Sequence, residues 1–232
     1  MPKAPSIVGR IVESALGRPT RVLRVAEPAP GFLHLDLRAE PPAGGWQPGH
    51  EVQVRVTRTE ARRYTVRRVE EPDRIHVLAA LETGGPGALW LRGLRPDAEM
   101  TLLAARHVPL RQHGRRRLHL GDGSALGTFD ALTADQPDPL VAVEASAESV
   151  PALAREWPGF RFVPAGGSPG DTLQRWLDSA IEGGALAGID GALLLGHAQS
   201  LQRQRRALVD SEVLDRRSIT TKPYWATGRV GL

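Results

Sequence analysis

Arg62, Tyr64, Thr65 and Arg67 stand within the six residues RRYTVR, and together they have an unusual chemical range. A tyrosine offers a flat face and a hydroxyl, a threonine a small hydroxyl, and an arginine a planar two-pronged grip on phosphate. Such a set suits a planar ring system with an anionic tail. On a strand, Arg62, Tyr64 and Val66 share one side, and Arg63, Thr65 and Arg67 the other. A solvated strand with a cross-strand salt bridge could carry the same residues.

Three further groups carry chemistry. Gly84 and Gly85 remove side chains where a backbone could approach a ligand, and Pro86 suits the first turn of a helix. Backbone N–H groups at such a start favour phosphate, although an ordinary Gly-Pro helix start has the same sequence. Gly121, Asp122, Gly123 and Ser124 join an apolar strand to a helix, the geometry of a nucleotide-binding turn, without being GxGxxG. Asp122 there caps or orients the turn. Near the end, Tyr224 and Trp225 read as core anchors or as a cover for a ligand ring, while Lys222 and Arg229 bring positive charge that could steer an anionic substrate.

Other chemistries find no support. The chain has no cysteine, which excludes disulfides, thiolate metal sites and cysteine nucleophiles. The histidines at 34, 50, 76, 107, 113, 119 and 197 show no metal-ligand spacing, so no metal is expected. No nucleophile elbow appears. The net charge of +4 rests on arginine, since Lys3 and Lys222 are the only lysines. With those basic residues dispersed and aromatics at 5%, no nucleic-acid partner is expected. No apolar run approaches the roughly 18 residues of a membrane span, and MPKAPSIVGR lacks a signal-peptide core, so the expected address is cytoplasmic.

The elements that must position these groups change rhythm half-way. FLHLDLR (32–38), EVQVRVT (51–57), RIHVLAAL (74–81) and EMTLLAA (99–105) alternate with period two between Gly/Pro turns, which predicts antiparallel strands closing into a small barrel. After a basic connector, RLHLG (117–121), PLVAVEA (139–145), FRFVP (160–164) and GALLLG (191–196) read as strands. They alternate with helical stretches at 124–134, 148–157, 171–181 and 198–210, which implies a mostly parallel sheet. In the third helix Leu173, Trp176, Leu177, Ala180 and Ile181 form one apolar face, with Asp171 as its expected N-cap. The predicted fold class is therefore two-domain β plus α/β: an N-terminal antiparallel β-barrel, then an open parallel α/β sheet. The expected divisions are an N-terminal segment (1–17), a barrel (18–107), a connector (108–116) and an α/β domain with its tail (117–232). Open parallel sheets take ligands outside the carboxyl ends of their strands, so the expected site is the cleft the two domains share.

Taken in order, these motifs resemble the siderophore-interacting proteins of the ferredoxin-reductase-like superfamily. Arg62, Tyr64, Thr65 and Arg67 resemble the flavin-binding signature, and WQPGHEVQVRV (46–56) the strand leading into it. GGPGALW (84–90) is similar to the turn and helix that receive the flavin pyrophosphate, and LHLGDGSALG (118–127) to the opening of the nicotinamide-nucleotide domain. KPYWATGR (222–229) resembles the closing segment, so the likeness runs from about residue 18 to the end. It implies FAD held on the barrel by Arg62, Tyr64, Thr65, Arg67 and the Gly84–Pro86 turn, with NADPH or NADH as electron donor at Gly121–Ser124. A C-terminal aromatic would cover the flavin ring. The implied activity is reduction of ferric siderophores, which frees iron because Fe(II) binds hard oxygen ligands more weakly. A ferredoxin donor stays open, as do two alternatives: a general flavin oxidoreductase, and a diverged module that binds a siderophore or partner without redox work. The chain departs from the pattern at Leu81, where the family carries a histidine, and at Pro96–Asp97–Ala98, Gly123, Gly127 and Pro223. Most of these departures fall at phosphate-facing turns.

Overall fold

The computed structural model describes residues 17–82, 84–104 and 110–229. Expectations for segment 1–16, Thr83, the stretch 105–109 that includes His107 and the barrel's expected end, and residues 230–232 lie outside the described residues. The chain divides into two compact units, the first built on the barrel and including Asp130–Ala134, the second on the parallel sheet.

Six strands build the first unit: β1 (Gly17–Ala29), β2 (Phe32–Ala39), β3 (Glu51–Arg55), β4 (Ala61–Glu71), β5 (Arg74–Ala80) and β6 (Glu99–Ala104). They close in the order β1-β2-β5-β4-β3-β6, every pairing antiparallel. Alternation sets the inside: Leu33, Leu35 and Leu37 of β2 meet Val52 and Val54 of β3 and Ile75, Val77 and Ala79 of β5 in one core. Between β5 and β6 runs α1 (Pro86–Gly93), with Pro86 in its first turn and Ala88 and Leu91 buried in the barrel core. Burying Leu91 contributes about 2 kcal/mol and holds that helix against the strands.

The second unit is a five-stranded parallel sheet in the order β11-β10-β7-β8-β9. Its strands are β7 (Arg117–Asp122), β8 (Leu140–Ala145), β9 (Arg161–Pro164), β10 (Gly191–His197) and β11 (Ile219–Trp225). Strand β10 is buried along its whole length, as a strand covered on both faces must be. Helices α2 (Leu126–Thr133, after a 3₁₀ turn at Gly123–Ala125), α3 (Val150–Glu156), α4 (Asp171–Glu182) and α5 (Ala198–Asp210) connect the strands. In α4, Leu173, Leu177 and Ala180 enter the core, and Trp176 and Ile181 pack at its margin.

The expected N-cap of α4 needs correction. Gly170, left-handed at φ 80°, caps it, and Asp171 is its first helical residue. The Asp171 carboxylate turns back to Ser168 N–H at 3.1 Å and to Arg203 at 2.8 Å.

Candidate functional site

On β4 the register fixes which side chains meet. Arg62 stands opposite Val54 and Tyr64 opposite Val52, both core residues, so Arg62, Tyr64 and Val66 share the core-facing side. Tyr64 packs against the core, and burial pushes its hydroxyl up to about 12, with Arg62 opposing the shift. Thr65 lies on the other side, 9% exposed. Arg67 sits where the β4–β5 register slips, and its guanidinium pairs with the Asp130 carboxylate of the same unit.

The Gly84–Pro86 turn meets this strand. A Cβ on Gly87 would lie 3.0 Å from the Tyr64 hydroxyl and 3.1 Å from Arg62 Cγ, so the absence of a side chain lets α1 close on them. One turn earlier the space is open: a Cβ on Gly84 or Gly85 would meet nothing within 4 Å, and Gly84 has φ +63°. The start of α1 has no side-chain cap. These residues bring together an aromatic hydroxyl, an arginine 25% exposed that lies 3.6 Å from the Glu60 carboxylate, and an uncapped helix start, which fits a flavin nucleotide better than an apolar ligand. Arg67 fits less well as a phosphate ligand, because Asp130 already neutralises it.

In the second unit, Asp122 organises the carboxyl ends of the strands. Its carboxylate accepts hydrogen bonds from Ser124 N–H (2.9 Å) and the Ser124 hydroxyl, from His197 N–H (2.7 Å) and from the Trp225 indole N–H (2.9 Å). Burial raises its pKa, and those hydrogen bonds oppose the rise. Gly121 and Gly123 are buried beside it; the β10 carbonyl of Leu195 leaves Gly121 no room for a side chain.

His197, which the sequence reading left without a role, sits at the end of β10 with Trp225 tilted 35° against it at 4.4 Å between ring centroids. The Ser200 hydroxyl donates to Pro169 O (2.6 Å), so it accepts from His197 Nδ1–H (2.7 Å). His197 Nε2 then accepts from the Thr227 hydroxyl (3.0 Å). This is a neutral imidazole, and its pKa is lowered chiefly by burial, with Arg203 adding to that and Asp122 opposing it.

Glu144, paired in register with Asp122, was also missed. It is buried and takes Gly170 N–H at 2.6 Å and Thr172 and Leu173 N–H at 3.1 Å each, which satisfies the first turn of α4. An acidic residue inside the apolar run VAVEA was the available signal. These carboxylates, with Gly121, Gly170, His197 and Gln204, line a small crevice; Gln204 Oε1 is buried there without a hydrogen-bond partner.

The remaining sequence candidates fall nearby or apart. Tyr224 Oη meets Thr128 Oγ1 at 3.1 Å, and Lys222 Nζ lies 5.9 Å from the Tyr224 ring centre. Arg229 is exposed in the turn after β11. Among the described residues, Asp36, Glu70 and His76 have metal-ligand types close together. Arg74 already bridges the two carboxylates, Nε at 2.9 Å from Asp36 and 3.2 Å from Glu70, so the group is an ion-pair network.

No protein-family model matches the chain, and no curated protein sequence does. Solved structures do. A siderophore-interacting protein from Acinetobacter baumannii superposes with a TM-score of 0.71 at 14% identity, covering 92% of each chain. That of Aeromonas hydrophila gives 0.66 at 19%, covering 91% of this chain and 99% of its own. The ferredoxin–NADP+ reductase of Plasmodium falciparum gives 0.65 at 10%, covering 90% of this chain and 96% of its own. The fold is that of the siderophore-interacting proteins. It is ferredoxin-reductase-like in both units, and at these identities the likeness is one of fold.

Proposed function

We propose that this protein is a flavin-dependent oxidoreductase that reduces ferric siderophores. The observation that carries the flavin part is the meeting of Tyr64 and Arg62 with the uncapped start of α1 at Gly87. The siderophore part is supported by the fold shared with siderophore-interacting proteins. FAD, when bound, supplies the redox chemistry, passing single electrons to chelated Fe(III).

The chain's own residues bind and orient. Tyr64 offers its ring and a hydroxyl that burial keeps protonated, a hydrogen-bond donor at any ordinary pH. Gly84 and Gly85 leave backbone open to a pyrophosphate, and the positive end of α1 favours it. Thr65 adds a hydroxyl on the far side of the strand. Arg62, more loosely paired with Glu60 at 3.6 Å, stands next to the turn, while Arg67, tied to Asp130, orders β4. Lys222 and Arg229 are the proposed contacts for an anionic siderophore. The resemblance names NADPH or NADH as donor at Gly121–Ser124, yet Asp122 and Glu144 already fill that edge. Among the described residues no helix is long and apolar enough to cross a membrane; a cytoplasmic address belongs to this proposal.

The visible spectrum of the protein mixed with FAD tests the reading. Bound flavin shifts and structures its absorption bands, and Tyr64→Ala should weaken binding about tenfold or more, the worth of one aromatic contact with its hydrogen bond. Unchanged affinity in that variant would remove Tyr64 from the site. A second reading, a general flavin oxidoreductase, gains from the likeness to a ferredoxin–NADP+ reductase, whose TM-score of 0.65 is little below that of the siderophore-interacting proteins. Turnover of ferric siderophores against quinones or free flavin separates the two.

A further inference from the structure

We infer that the carboxyl edge of the parallel sheet does not accept the pyrophosphate of NADH or NADPH, because the protein's own carboxylates already occupy the hydrogen-bond donors such a group would need. The inference concerns the electron donor and rests on the flavin reading only for its redox consequence.

A dinucleotide is held at an open parallel sheet chiefly by backbone N–H groups at the helix starts beyond the strands, aided by positive charge. Here the donors at the start of α4 are all engaged, and those before α2 and α5 in part, since α5 begins without a side-chain cap. Glu144 takes the N–H groups of Gly170, Thr172 and Leu173, and Asp171 N–H goes to Ser168 O, so the first turn of α4 has no free donor. Asp122 takes Ser124 N–H at the turn before α2 and His197 N–H at the entry to α5. The two carboxylates are neighbours in register across β7 and β8, so an entering pyrophosphate would meet a pair of acids. The other polar groups of the crevice do not reverse this. Gln204 presents a buried, unpartnered carbonyl oxygen, which is an acceptor, and neutral His197 spends its ring N–H on Ser200. Trp225 and Thr227 close over the same corner, bonded to Asp122 and to His197. Together these contacts form an edge rich in acceptors that leaves an anion few N–H groups to bind, and the adjacent Arg203 guanidinium is already spent on Asp171 and Pro169 O. Electrons that reach a barrel-bound flavin would then arrive without a dinucleotide seated here.

The test uses the full chain. Protein is titrated into trace NADPH, then trace NADH, with nucleotide fluorescence anisotropy as the signal, and FAD is titrated into the same preparation. The expected result is saturation by FAD and an anisotropy that stays at the free-nucleotide value into the high micromolar range of protein. A saturating rise at low micromolar protein overturns the inference, whatever FAD does. Failure of FAD to bind while both nucleotides also fail would end the flavin reading and leave the inference about the sheet edge intact.

Discussion

His119 shows how much a single buried ring can weigh. It lies fully buried on β7, edge-on to Phe129, and its ring nitrogens find no hydrogen bond of normal geometry, only a weak pull from the Leu140 backbone. Burial lowers its pKa from 6.5 to about 4. The folded state therefore binds fewer protons than the unfolded one between those values. The stability the neutral ring supports is complete above pH 6.5 and drains away as the pH falls toward 4. Such a shift corresponds to about 3 kcal/mol. His119→Leu, which removes the unsatisfied polar atoms at similar volume, should hold or raise stability at pH 7 by about 1 kcal/mol and flatten the acid limb. Urea midpoints of both proteins from pH 7 to pH 4 measure this; parallel curves would mean that another group governs the acid loss. His34, also held at about 4, chiefly by burial, stays in both proteins and sets the residual slope.

Among the elements, α1 and α4 begin in contrasting ways. The start of α1 is open and uncapped, whereas that of α4 is answered by a glutamate 26 residues upstream of Gly170. Glu144→Ala strands two buried N–H groups and a third that is part-buried, and should cost about 3 kcal/mol, read as a lower urea midpoint. A midpoint within error of wild type would mean that water replaces the carboxylate at no cost. At α1 the sensitive position is Gly87. Gly87→Leu forces a side chain against Tyr64 and Arg62, so flavin affinity should fall by about tenfold while far-ultraviolet circular dichroism stays native. Binding that survives would place the ring elsewhere on the barrel.

At the scale of the whole molecule, the legible parts of the fold were those with local periodicity. Leu33–Leu35–Leu37 and Val52–Val54 announced their strands by alternation, and Leu173, Trp176 and Leu177 their helix by spacing. Strand β1 was not singled out because Pro19 and Pro28 interrupt it and its pairing with β2 slips twice. The cap of α4 and the clamp on His197 stayed hidden because each joins residues far apart in the chain: Glu144 to Gly170, and His197 to Thr227. Of the candidate site, Arg62, Tyr64 and the Gly84–Pro86 turn were legible as motifs, but the Asp130 partner of Arg67 was not, since nothing local links them. Net charge acts at this scale too. With +4 overall, encounter with an anionic ferric siderophore should be electrostatically assisted, so kcat/KM should fall severalfold from low to physiological ionic strength while kcat holds. A salt-independent kcat/KM would show that the excess charge lies away from the route of approach.

The sheet of the second unit ends in two strands that refuse further neighbours. On one rim β11 carries Lys222 and Pro223, a charge and a residue with no N–H to offer; on the other β9 is four residues long and closes with Pro164. Neither border presents a long run of unpaired backbone to a second copy, so crowding many molecules together gives this sheet no template for fibre growth.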